Sequence, residues 1–276
     1  MASLEQSIQL HQQPKLTGLR GLGLGRAFSR SGAILAFVAL WEIAPRIGLV
    51  EPAFLPPFTQ VIKTGWHLAR NGQLESHIAA SLSRSLTGFA VAILYAVPLG
   101  LAIGWFKRLA DSLSPLLEVF RNTAPLALLP VFLLLLGIGE SSKIALVIYS
   151  CSWPILLNTI SGVRNVDPLL IKSAKTMGLS SFDLLRKVVL PASIPAVFVG
   201  IRLAGAYSLL VLVAAEMVGA KAGLGYLIIY SQYNFQIPHM YVGILTTTVL
   251  GLSFTQLLML VERRLTGWKA PVGAAE

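Results

Sequence analysis

The sequence predicts an all-α, polytopic membrane protein with about six transmembrane helices, and three observations carry that prediction. Of 276 residues, 55% are hydrophobic and only 12% are charged, against roughly a quarter charged in an ordinary soluble domain. Six apolar stretches approach the roughly 20 residues needed to cross a hydrocarbon core; they run 33–50, 78–105, 113–138, 144–162, 194–218 and 240–261. The cations between them are distributed unevenly, as membrane insertion requires.

Each element has its own justification. Residues 1–31, with glutamines and a glycine-rich run, read as a cytoplasmic tail, 32–266 as the membrane domain, and 267–276 as a second cytoplasmic tail. The first apolar stretch is a retained anchor, because Glu42, Pro45 and Arg46 follow it without a small-residue cleavage pattern. In the second, Gly88, Ala92, Ala96, Gly100 and Gly104 recur at every fourth position, a ribbon of small residues on one helix face that invites a close neighbour. Pro98 adds a bend to it. The third stretch carries Pro115, Pro125 and Pro130 and reads as a broken helix, which a membrane tolerates only where protein satisfies the freed carbonyls.

Charge sets the orientation. With the N-terminus inside, the inner segments hold Lys15, Arg20, Arg26, Arg30, Lys107, Arg108, Arg164, Lys172, Lys175, Arg186, Lys187, Arg263, Arg264 and Lys269, and the outer ones only Arg46, Lys63, Arg70, Lys143 and Lys221. That asymmetry puts both termini in the cytoplasm and accounts for most of the net charge of +10, so nucleic acid is not an expected partner. A lone Cys151 excludes an intrachain disulfide, and no catalytic or metal-binding motif is present.

The inner loop at 164–190 interrupts the apolar pattern with "KSAKTMGLSSFDLLRKVVLP" (172–191). Asp167 suits an N-cap, Pro168 the first helical position and Gly178 a left-handed stop, which predicts a helix over 168–177. Leu170, Ala174 and Met177 share one face, with Lys172 and Lys175 toward the other. Ser180 with Asp183 forms a capping box for a second short helix, which Pro191 would close. Two readings stand: a basic loop that satisfies topology and touches headgroups, or a rigid docking bracket for a soluble partner.

The spacing Ala174, Gly178, nine residues, then Val188, Leu190 and Pro191 resembles the EAA loop of ABC importer permeases, with Lys172 and Ser173 in place of that motif's first Glu and Ala. Further stretches, "LEVFRNTAPLALLPVFLLLLGIGESSKIALVIY" (117–149), "WPILLNTISGV" (153–163), "LPASIPAVFVGIRLAGAY" (190–207), "AAEMVGAKAGLGYLI" (214–228) and "ERRL" (262–265), are similar to permeases of the nitrate, sulfonate and taurine branch. The resemblance implies a type I, methionine-importer-like permease fold in a bacterial inner membrane. It also implies a second, identical permease copy, two cytoplasmic ATPase subunits and an external substrate-binding protein as partners, beside membrane lipid. The substrate it implies is a small anionic or zwitterionic solute, aliphatic sulfonate first, with taurine and nitrate behind. Leu170, Ala174, Met177, Gly178, Leu190 and Pro191 would make the ATPase contact. No phosphate-binding loop is present in this chain, so ATP and Mg would belong to the partner and no cofactor to this one.

Charges inside the spans are costly in lipid. Glu118 and Arg121 stand three apart, within pairing distance on one helix face. Arg202 and Glu216 lie too far apart on one helix to pair. Arg121, Arg202 and Arg84 either draw an anion into a path or hold helices together, and Glu216, near the outer end, is a candidate gate. Serines and threonines from Ser150 to Thr255 either line a path or bond helix to helix. An ion-coupled secondary transporter is the alternative function, although no inverted repeat is visible.

Overall fold

The structure, a computed structural model, describes residues 22–266, with side chains from Gly32 to Leu265. The predicted tails lie outside it except for 22–31, which is already helical, so the predicted boundary at 32 falls inside the first helix. The chain divides into two units, 1–59 and 60–276.

In the first unit α1 (Leu22–Arg46) ends in a turn at Gly48. Its C-terminal end is tied to the following loop: Trp41 donates through Nε1 to the carbonyl of Pro56 at 3.1 Å, and Glu42 accepts from the amide and hydroxyl of Thr59, both at 2.9 Å.

The second unit holds the rest of α2 (Phe58–Arg70), then α3 (Gln73–Trp105), α4 (Lys107–Arg121), α5 (Leu129–Leu136), α6 (Glu140–Arg164), α7 (Pro168–Thr176), α8 (Ser181–Leu184), α9 (Leu190–Glu216), α10 (Leu224–Tyr233) and α11 (Ile237–Thr266). Among the described residues, four helices are long and apolar enough to cross a membrane: α3, α6, the α8–α9 continuum and α11. The predicted broken span is present. The break lies at 122–124, where Lys107–Arg121 meets Pro125–Leu136 at 86° and Pro125 opens the second piece as a single turn of 3₁₀ helix leading into α5, whereas Pro115 and Pro98 sit within unbroken helices.

Small residues set the packing. A Cβ on Gly88 would come within 2.7 Å of Val147, one on Gly100 within 2.7 Å of Thr159, and one on Gly104 within 2.7 Å of Val163. The paired numbers rise together, so α3 and α6 run parallel in contact along the predicted ribbon. On the other side of α6, Gly162 meets Ala196 while Gly200 meets Pro154 and Asn158, so α9 is antiparallel to α6. Gly205 meets Phe254 and Leu258, and Arg202 one turn earlier pairs with Glu262, so α11 is antiparallel to α9. These directions put the end of α3, the α6–α9 loop and the end of α11 at one end of the bundle. Gly72, Gly139, residues 217–223 and the start of α11 lie at the other. The core between them centres on Phe89, Ala92, Ala96, Val147, Cys151, Ile155, Ala204 and Leu212.

Candidate functional site

The α6–α9 loop folds as its capping residues dictate. Asp167 accepts from the Leu169 amide at 2.8 Å, and Pro168 occupies the first turn of α7. Gly178 takes φ +79°, with Leu179 N–H donating to Ala174 O at 3.3 Å and Gly178 N–H to Lys175 O at 3.0 Å. That pair of bonds is the Schellman closure which a left-handed glycine permits. Ser180 caps α8, accepting from the Asp183 amide at 3.2 Å and donating to its carboxylate at 2.8 Å.

Two expectations need correction. Pro191 does not close the second helix, because α8 runs through a π-helical turn at Leu185–Val189 into α9 as one 36-residue rod. Proline lacks an amide and crowds the carbonyl four residues back. The ladder slips one residue just before it, Leu190 N–H reaching Leu185 O, and the helix survives. The shared face of Leu170, Ala174 and Met177 also divides. Ala174 is buried, on the side where Ile171 and Leu185 pack against Val163, Val166 and Val189. Leu170 and Met177 are exposed, and they are joined by Leu169 and Phe182, which the sequence reasoning missed. Leu190 is exposed at the foot of α9. The bracket is thus pinned underneath and presents four large apolar side chains, 51–79% exposed, above.

The other end of the bundle holds an ionic knot. Arg84 on α3 donates to Glu216 at 2.6 Å, to the carbonyl of Ala222 at 2.7 Å, and through Nη2 and Nε to both carboxylate oxygens of Glu140, the Nη2 bond being 2.7 Å. Arg84 is 5% exposed and Glu216 0%. Glu216 also accepts from Ser81 Oγ at 2.8 Å and from the Gly225 amide at 3.0 Å, while Ser81 accepts from the Leu224 amide at 2.8 Å. The carboxylate therefore caps the positive end of α10. Lys143, also buried, donates to Gly139 O at 2.9 Å and lies within electrostatic reach of all three charges, so two cations face two anions. Ser81, Arg84 and Ser85 at helical spacing in "SLSRSL" were the signal for a buried polar face; Glu140 carried none.

The remaining charges divide. Arg202 pairs with Glu262 at 2.8 Å, joining α9 to α11. Arg121 makes no ion pair with Glu118 within 4.0 Å among the described residues; both line a cleft of about 240 Å³ with Ser114 and Arg164 at the bracket end. Most intramembrane hydroxyls bond back to their own helix, as Ser150, Thr247, Thr248, Ser253 and Thr255 do. Ser208 also bonds Ser85 across helices at 3.0 Å. Among the described residues no group of His, Cys, Asp and Glu is arranged to hold a metal.

Residues 96–267 match the family model described as binding-protein-dependent transport system inner membrane component. A probable ABC transporter permease protein of Brucella abortus (strain 2308) is 34% identical over 251 residues, 91% of this chain and 97% of that one. The putative aliphatic sulfonates transport permease protein SsuC of Escherichia coli K12 is 35% identical over 85% of this chain and 89% of its own length. Among solved structures, the inward-facing MetNI methionine ABC transporter shares the fold with a TM-score of 0.61 at 17% identity, covering 70% of this chain and 96% of that one.

Proposed function

Because the chain belongs to the binding-protein-dependent transport system inner membrane component family, in its nitrate, sulfonate and taurine branch, we propose that it forms the translocation path for a small anionic or zwitterionic solute, aliphatic sulfonate first, and is driven through its bracket by a separate ATPase. Taurine and nitrate are the next substrates, and relatives named for sulfonate, taurine and nitrate transport support this set. The partners are a second copy of the chain, two ATPase subunits that carry the ATP and Mg, and an external binding protein. This chain itself is no enzyme.

The observation that carries the coupling assignment is the bracket's exposed face. Leu169, Leu170, Met177 and Phe182 lie at the end of the bundle that also gathers Lys107, Arg108, Arg164, Lys172, Lys175, Arg186, Lys187, Arg263 and Arg264. A surface that charged is not lipid-facing, and exposed large apolar side chains there need a protein partner. The same cations support a cytoplasmic placement of that end and of the C-terminus. ATP-driven closure of the paired ATPases would draw two brackets together and turn α9 with them, switching a central cavity between its two openings. Arg121 in its cleft is the path residue this reading favours. Arg202 and Glu216 join helices instead, which supports a framing role for both.

The test uses Leu170→Arg and Gly178→Asp. Both variants should insert at wild-type levels yet lose ATPase copurification and solute uptake; normal copurification and uptake in both would refute the docking assignment. Uptake into vesicles should stop without ATP and persist when the proton gradient is collapsed. The reverse pattern would overturn the ATP-driven reading.

A further inference from the structure

Helix α2 stands off the bundle and leaves a groove of about 410 Å³ between itself, the first turns of α3 and the outer part of α11. Its walls include Gly65, Trp66, Leu74, Ile78, Val242 and Val249, and Thr246 supplies the one hydroxyl. A Cβ on Gly65 would touch Val242 at 3.5 Å, so α2 approaches α11 closely there. Along α11 the lining runs from Val242 to Leu250. That is about 12 Å of helix, close to the roughly 15 Å half-thickness of a hydrocarbon core. The depth suits one leaflet.

One cation, Arg70, stands at the edge of the groove through its contact with Trp66, and Glu75 in the first turn of α3 follows the lining residue Leu74. Arg70 places its guanidinium carbon 5.2 Å over the Trp66 ring, the pairing of an aromatic and a cation that marks a membrane interface. Helix α2 (FTQVIKTGWHLAR) carries Lys63, His67 and Arg70 and no acid.

We propose that this groove, on the leaflet away from the bracket, holds one acyl chain of an anionic phospholipid whose headgroup is bound by Arg70. A second copy of the chain is the competing occupant. A two-fold contact through the groove would bring the α2 cations of one copy against those of the other, which is repulsive. An acyl chain meets no such penalty and matches the apolar walls. This inference does not depend on the substrate or on the coupling assignment.

The purified importer, stripped of lipid and incubated with vesicles of phosphatidylglycerol and phosphatidylcholine in equal parts, is re-isolated and its retained lipid quantified by mass spectrometry. Wild type should retain phosphatidylglycerol in preference. Arg70→Glu, at an exposed position, should lower that retention about fivefold or more, and Thr246→Trp, which fills the groove, should lower retention of both lipids. Equal retention by wild type and Arg70→Glu would overturn the headgroup assignment, and undiminished retention by Thr246→Trp would overturn the groove. Disulfide-linked dimers of Thr246→Cys in a Cys151→Ser background would put a second copy there instead and overturn the proposal.

Discussion

Removing the cation from the ionic knot should be far more damaging than removing either end of an ordinary surface pair. In Arg84→Met the Glu216 carboxylate keeps Ser81 and the Gly225 amide but loses its hydrogen-bonded counter-charge while staying fully buried, Lys143 remaining only within electrostatic reach. Stranding one member of a buried pair costs about 3–5 kcal/mol, and for a chain of this size each kcal/mol moves Tm by about 2–4 °C. Thermal melting of the detergent-purified protein should therefore fall by about 6 °C or more. Glu216→Gln should cost less, about 1–3 kcal/mol, because Arg84 keeps its two bonds to Glu140. The double variant Arg84→Met with Glu216→Leu removes both charges and leaves Lys143 to balance Glu140, so it should regain most of the loss. An Arg84→Met shift under 2 °C, or a double variant that loses the sum of the single losses, would refute Arg84–Glu216 as a buried, mutually compensating pair.

The helix interfaces make a paired prediction. Gly100→Val drives side-chain atoms into Thr159 and should cost about 1–3 kcal/mol, whereas Gly251→Ala, inside α11, meets nothing within 4 Å and should hold or slightly raise the melting temperature. Gly178→Ala puts a Cβ at φ +79°, at a cost of about 1–2 kcal/mol. It should weaken ATPase copurification more than it lowers Tm. Phe182→Asp should abolish copurification without affecting insertion, and Ala174→Ser, on the pinned underside, should leave the ATPase contact intact; pull-down of the partner from membranes distinguishes them.

What the sequence made legible was local or periodic. The ribbon from Gly88 to Gly104, the Asp167 and Ser180 caps and the Gly178 stop all appear where short-range rules put them, because each is decided within a turn or two of helix. The proline-rich third span broke just before Pro125 and not at Pro115, a choice that depends on whether neighbours can satisfy the freed carbonyl, and this is invisible in one strand of sequence. The pairing of Arg84 with Glu216 joins residues 132 positions apart, and no spacing rule reaches that far. Ala174 was misjudged for a related reason. A helix lying on a bundle has two apolar sides, and only the packing of Ile171 and Leu185 against Val163 and Val189 tells which is covered.

Pro191 carries a consequence for how motion at the bracket reaches the other end. The rod from Ser181 to Glu216 is 36 residues, about 54 Å, well beyond the roughly 30 Å hydrocarbon thickness. It links the bracket at one end to the Arg84 knot at the other. The π-turn at Leu185–Val189 holds one extra residue, and each residue in a helix is worth about 100° of rotation. In Pro191→Leu the reason for the slip is gone, and reversion to α-helix would turn the bracket about α9 and move Phe182 off its face. Deleting Val188 together with Pro191→Leu removes the extra residue as well and restores the original register. The single variant should therefore impair ATP-driven uptake more than the variant with two changes, although it alters less of the sequence. Equal impairment, or a greater loss in the deletion variant, would mean that the π-turn does not set the orientation of the bracket.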